Sequence, residues 1–133
     1  MKYLLTFVVD ERFAWEATPE EARETIERWS EFDREAVEAG VMIATEALED
    51  SSSATTIAIE ASGDRAVTDG PFAESKEQLG GFCLLECENL DEALEWAKKV
   101  PLRAGHIEVR PVRDLSELGY VSPTPAPAKA AAR

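Results

Sequence analysis

The chain is poor in the residues that most often mark a chemistry. It holds one histidine, His106, and two cysteines, Cys83 and Cys87. No Walker or dinucleotide glycine motif occurs, which removes the nucleotide-binding sites those motifs mark. Ser51-Ser52-Ser53 lacks the context of a nucleophile elbow. No apolar stretch approaches the roughly 20 residues of a membrane span. Met1-Lys2-Tyr3-Leu4-Leu5 is not followed by a signal-peptide cleavage pattern. Cations are scarce as well: 14 Lys and Arg stand against 27 Asp and Glu, a net charge of −13. That balance repels nucleic-acid phosphates and anionic membrane surfaces alike, so neither is an expected direct partner.

The two cysteines lie four apart in a segment that reads as a strand. At about 3.4 Å per residue their Cα atoms stand roughly 13 Å apart, beyond disulfide reach. They read as buried free thiols, with too few ligands nearby for a metal site. Free thiols point to a reducing compartment, so the expectation is a cytoplasmic protein without a metal or other cofactor.

What is present is the material of one domain. The 133 residues suit a single core, and a hydrophobic content of 44% excludes global disorder. Tyr3–Val9 is short, apolar and β-rich, as a strand with two apolar faces would be. Thr18-Pro19-Glu20-Glu21 starts a helix over 19–39, with Thr18 as N-cap and Pro19 at its first position. Ala22, Ile26, Trp29, Phe32 and Ala36 give it an apolar stripe, the acidic run 16–31 reads as its solvated face, and Gly40 ends it in a left-handed cap. Val41–Ala47 reads as the next strand. Residues 54–69 read as a hairpin turning at Ser62-Gly63-Asp64. Gly70–Gly81 reads as a loop and Phe82–Cys87 as a strand. Asn89 caps a second helix whose apolar face is Ala93, Leu94, Ala97 and Val100, stopped by Pro101. Ile107–Val112 is the last strand, and Pro111, which cannot donate to a ladder, assigns that end to an edge or a bulge. The domain thus occupies 1–113. The Pro- and Ala-rich tail 114–133 is expected to be extended or mobile, with Leu118 and Tyr120 as its docking residues.

The order β-α-β-(hairpin)-β-α-β predicts an α+β fold, a ferredoxin-like split βαβ sandwich with an inserted hairpin. Right-handed crossovers place both helices on one face of the sheet. Yet the first strand and Phe82–Cys87 are apolar on both faces. The uncovered face would leave a patch that soluble monomers avoid, so the expectation is a homodimer closing into an α+β barrel with a cleft. Trp15, Trp29 and Trp96 read as core or cleft wall.

The longest distinctive run is Asp69-Gly70-Pro71-Phe72-Ala73-Glu74-Ser75-Lys76-Glu77-Gln78-Leu79-Gly80-Gly81-Phe82. It resembles the signature of the YCII-related family, in particular the branch named for its Asp-Gly-Pro-Phe motif. Similarity extends through Leu90–Ala97 and Ile107–Val112, covering most of 1–113. The resemblance implies a ferredoxin-like dimeric barrel. It also implies an accessory role in sigma-factor-linked transcriptional regulation, because relatives are often encoded beside or fused to such factors. Enzymes proposed in the wider superfamily rely on a His–Asp pair. This chain departs from that pattern, since His106 follows the second helix and the first helix has no histidine.

Asp69, Gly70, Pro71, Phe72, Glu74 and Lys76 are accordingly the candidate ligand-binding residues. Gly70 permits unusual backbone angles, and Pro71 lacks an N–H, so the Asp69 carboxylate must seek Phe72 N–H, a side chain or a ligand. Lys76 is the one cation of the segment, a partner for Asp69 or for an anion. Gly80 and Gly81 allow another backbone or a ligand to approach. The structural alternative is a corner in which Phe72 plugs the dimer cleft and Lys76 forms an ion pair. Two functions remain open: a non-catalytic domain binding a small ligand or a sigma factor, and a small cofactor-free enzyme. In the second, Asp69 is the general base and Lys76 or His106 stabilises developing charge. The plainer reading of His106 is a strand-edge residue satisfied by the backbone.

Overall fold

The computed structural model describes residues 1–14 and 18–125. Its main elements are β1 (Lys2–Asp10), α1 (Glu11–Ala14), α2 (Pro19–Glu38), β2 (Met42–Ala47), β3 (Thr55–Ile59), β4 (Arg65–Asp69), β5 (Glu77–Glu86), α3 (Leu90–Lys99) and β6 (His106–Pro111). Local chemistry sets several of these ends. Thr18 accepts the Glu21 N–H at 3.2 Å and starts α2 behind Pro19. At the other end Gly40 N–H reaches Val37 O and Val41 N–H reaches Ala36 O, the paired bonds of a left-handed glycine cap. Asn89 caps α3 by accepting the Glu92 N–H at 2.9 Å.

Four strands form one antiparallel sheet in the order β2-β5-β1-β6. With the hairpin set aside, this is the strand order of a ferredoxin-like split βαβ unit. Pro111 sits on the edge strand β6, opposite Tyr3, where its missing N–H costs no interior ladder bond. Among the described residues, strands β3 and β4 pair only with each other, as a separate hairpin.

The core lies on one side of the sheet. Tyr3, Leu5 and Phe7 of β1 and Cys83, Leu85 and Cys87 share a face, buried with Phe32 and Ala36 of α2 and Ala93 and Ala97 of α3. Phe7, Trp29, Phe32 and Trp96 make a chain of ring contacts, with centroids 5.2, 6.4 and 6.2 Å apart. Both cysteines are free and buried. Alternation puts Leu4, Thr6, Val8, Phe82 and Leu84 on the opposite face, half-buried and, among the described residues, without α2 or α3 over them.

Two expectations are corrected. Residues 77–81 are strand, not loop, because β5 begins at Glu77. A bulge opposite Phe7/Val8 absorbs Gly80. A Cβ on Gly81 would stand 2.9 Å from Glu46 O of the neighbouring strand, so the glycine admits a backbone, as anticipated, but from inside the sheet. Leu94 is 37% exposed, and Trp96 packs against the core from α3 instead. The turn α1 was not foreseen. Its Glu11 carboxylate accepts Ser51 N–H at 2.8 Å and Ser51 Oγ–H at 2.6 Å, tying the loop after β2 to the end of β1. Trp15 and the tail beyond Pro125 lie outside the described residues. Within the described tail, Ser116–Leu118 forms a single 3₁₀ turn, and Leu118 and Tyr120 are exposed.

Candidate functional site

The segment from Asp69 to Gln78 leaves the hairpin and enters β5. Asp69 closes β4 opposite Thr55 and is exposed. Gly70 then takes φ +102°, which a side chain would resist. Its N–H donates to Ala54 O at 2.7 Å, and Thr56 Oγ1 donates to Gly70 O at 2.7 Å, so both amide groups of Gly70 lock the hairpin base. Among the described residues the Asp69 side chain accepts no hydrogen bond. Phe72 is 93% exposed.

Beyond Phe72 the loop is held from within. Gln78 Nε2 donates to Ala73 O at 2.8 Å and Ser75 O at 3.1 Å, and Ser75 Oγ donates to Glu77 O. This folds the loop beside Ser51, which Glu11 anchors, and Ser52, whose N–H donates to Asp50 Oδ1. Ser51, Ser52, Pro71, Glu74, Ser75 and Gln78 line an open depression of about 310 Å³. Of the candidate ligand-binding residues, Pro71 and Glu74 line it, while Asp69, Gly70, Phe72 and Lys76 stand outside its wall. The wall offers the hydroxyls of Ser51, Ser52 and Ser75, the Gln78 amide and the Glu74 carboxylate beside the Pro71 ring, and more of its exposed surface is apolar than polar.

Lys76 pairs with Asp10, at 3.9 Å, rather than with Asp69. Asp10 is gripped from its other side by Arg12, whose Nε and Nη2 donate at 3.0 and 2.8 Å. Those hydrogen bonds hold the Asp10 carboxyl below its ordinary range. His106 likewise has a side-chain partner instead of a backbone one: its Nδ1 lies 3.0 Å from Glu77 Oε2. Residues Asp10 and Glu11 were missed by sequence reasoning. Their only signal was an Asp-Glu-Arg run at the end of a strand, which is common on surfaces.

A second polar group lies under the sheet. Asp33 of α2 has a buried Oδ1 without a partner among the described residues. Burial raises its carboxyl above the ordinary value. Burial, followed by the nearby Asp33 and Cys87 charges, pushes the Cys83 thiol up to about 12. Cys83 is therefore a protonated, inert thiol at neutral pH. Among the described residues no cluster of His, Cys, Asp and Glu could hold a metal ion, and no helix is long and apolar enough to cross a membrane.

One four-stranded antiparallel sheet, two long helices on a single face and an inserted hairpin define an α+β domain with ferredoxin-like strand order. The chain belongs to the YCII-related family, whose domain model matches residues 1–116. It is also 37% identical over 115 residues to a protein of Rhizobium meliloti (strain 1021) described as uncharacterized, covering 84% of this chain and 92% of that protein.

Proposed function

We propose that the protein is a homodimeric, small-ligand-binding domain of the Asp-Gly-Pro-Phe branch, acting as an accessory to sigma-factor-linked regulation. The observation that carries the dimer is the sheet face bearing Leu4, Val8, Phe82 and Leu84, which among the described residues neither α2 nor α3 covers. Burying apolar surface gains roughly 25 cal/mol per Å², so a second copy laid on this face is stabilised by several such side chains at once. The branch assignment is supported by the run Asp69–Phe72, and the ligand reading by the depression its loop lines with Ser51 and Ser52. The sigma-factor link is supported by the motif resemblance alone.

The test is a thermal-shift screen of small polar molecules, repeated on Glu74→Gln and Asp69→Asn. A hit that Glu74→Gln abolishes, with the dimer intact by light scattering, is the expected result. Loss of the dimer or of the fold in these variants would instead make the segment a structural corner. A pull-down that recovers no sigma factor or other regulator would remove the regulatory part.

A further inference from the structure

The open sheet face carries a charged arrangement at one end that the ligand-binding loop does not use. Antiparallel partners point to the same side, so the register puts Val8, His106 and Leu79 in one row across β6, β1 and β5. The next row holds Asp10 and Glu77. His106 and Glu77 thus come from the two strands that flank β1, and they meet above it with Nδ1 and Oε2 3.0 Å apart. The start of β6 is pressed onto β1 at this point. A Cβ on Gly105 would stand 2.2 Å from Val8 O.

We propose that His106 and Glu77 form a proton-transfer dyad for a small, uncharged carbon acid lying on this face. The inference rests on reading the open face as the wall of a ligand cleft. A carboxylate that accepts the Nδ1 proton fixes the imidazole in the tautomer whose Nε2 lone pair is free. Glu77 then stabilises the imidazolium that forms when Nε2 takes a proton. Val8 and Leu79 supply the apolar seat beside it. The surrounding charges are matched: Asp10 is paired by Arg12 and Lys76, and Glu108, on the same face as His106, accepts from Arg110. With those charges paired and the chain acidic overall, a neutral substrate is favoured over an anion. The step balances without a co-reactant. The C–H electron pair moves into the adjoining acceptor of the substrate, the proton passes to Nε2, and the imidazolium returns it to product or solvent.

The experiment uses 5-nitrobenzisoxazole, whose ring opens when a base removes its one acidic C–H proton. The full-length protein is expected to accelerate this reaction saturably. His106→Gln should lower kcat/KM about 100-fold, and Glu77→Gln about tenfold through kcat. Because His106 is the sole histidine, its ¹⁵N spectrum is unambiguous. The neutral ring is expected to carry its proton on Nδ1 in the wild type and to lose that preference in Glu77→Gln. No acceleration by the wild type, an unchanged rate in His106→Gln, or a proton on Nε2 would each overturn the dyad. Light scattering on the same samples separates the two ideas. A dimer without the rate overturns the dyad alone, and a monomer that keeps the rate overturns only the dimeric cleft.

Discussion

Asp33 shows how one misplaced charge can shape the stability of a small domain. It follows Phe32 on α2, and its Oδ1 is buried without a partner among the described residues. Desolvation disfavours the carboxylate, so the folded chain holds this proton more tightly than the unfolded chain does. The folded-state value is raised, so its stabilising share is present in acid. That share is lost as pH rises from the ordinary carboxyl value of 3.8 through the raised one. Asp33→Asn removes the charge and keeps the shape. The variant should melt higher than the wild type at pH 7, and the gap should close toward pH 3.5; paired calorimetric scans at both values would check this. Asp10 carries the opposite sign, its carboxylate being held by Arg12, and contributes stability above its ordinary range. Neither environment was legible in the sequence. The Asp33 side chain is near Cys83, fifty residues away, only because α2 packs on β5.

At the scale of elements, the capping residues account for most boundaries that the sequence announces. Asn89 accepts Glu92 N–H, and the Glu92 carboxylate in turn accepts Glu88 N–H at 3.3 Å. Asn89→Ala should destabilise the fold by about 1 kcal/mol, read as a lower urea midpoint with an unchanged slope. Thr18, Pro19 and Gly40 marked α2 in the same way, each acting on amides within four residues of itself. The start of β5 was hidden for the converse reason. Gly80 and Gly81 read as punctuation, whereas the sheet uses one for a bulge and the other for the close approach of Glu46 O. The hairpin was legible as a hairpin, since its turn and alternation are local. That it would stand apart from the four-stranded sheet, with Ile57, Ile59 and Val67 exposed, was not contained in that local pattern.

For the whole molecule, the uncovered sheet face is the feature with the largest consequence. Leu84 lies near its centre, paired across strands with Leu4 and Ala44. Leu84→Glu should convert the proposed dimer to a monomer while leaving the helix-side core intact, and light scattering with circular dichroism would separate the two effects. A monomeric wild type at micromolar concentration would remove the argument. By itself the sequence determined the order of the six strands and two long helices, the two-faced apolar strands and a motif that resembles the family's signature, because periodicity, capping and turn chemistry act over a few residues. It also singled out His106 as the sole histidine and Lys76 as the one cation of its segment. Only the tertiary structure decided their partners, Glu77 and Asp10. Those pairings follow from strand register and from β1 lying between β5 and β6, and register is set by the burial of one whole face, not by any residue's neighbours along the chain.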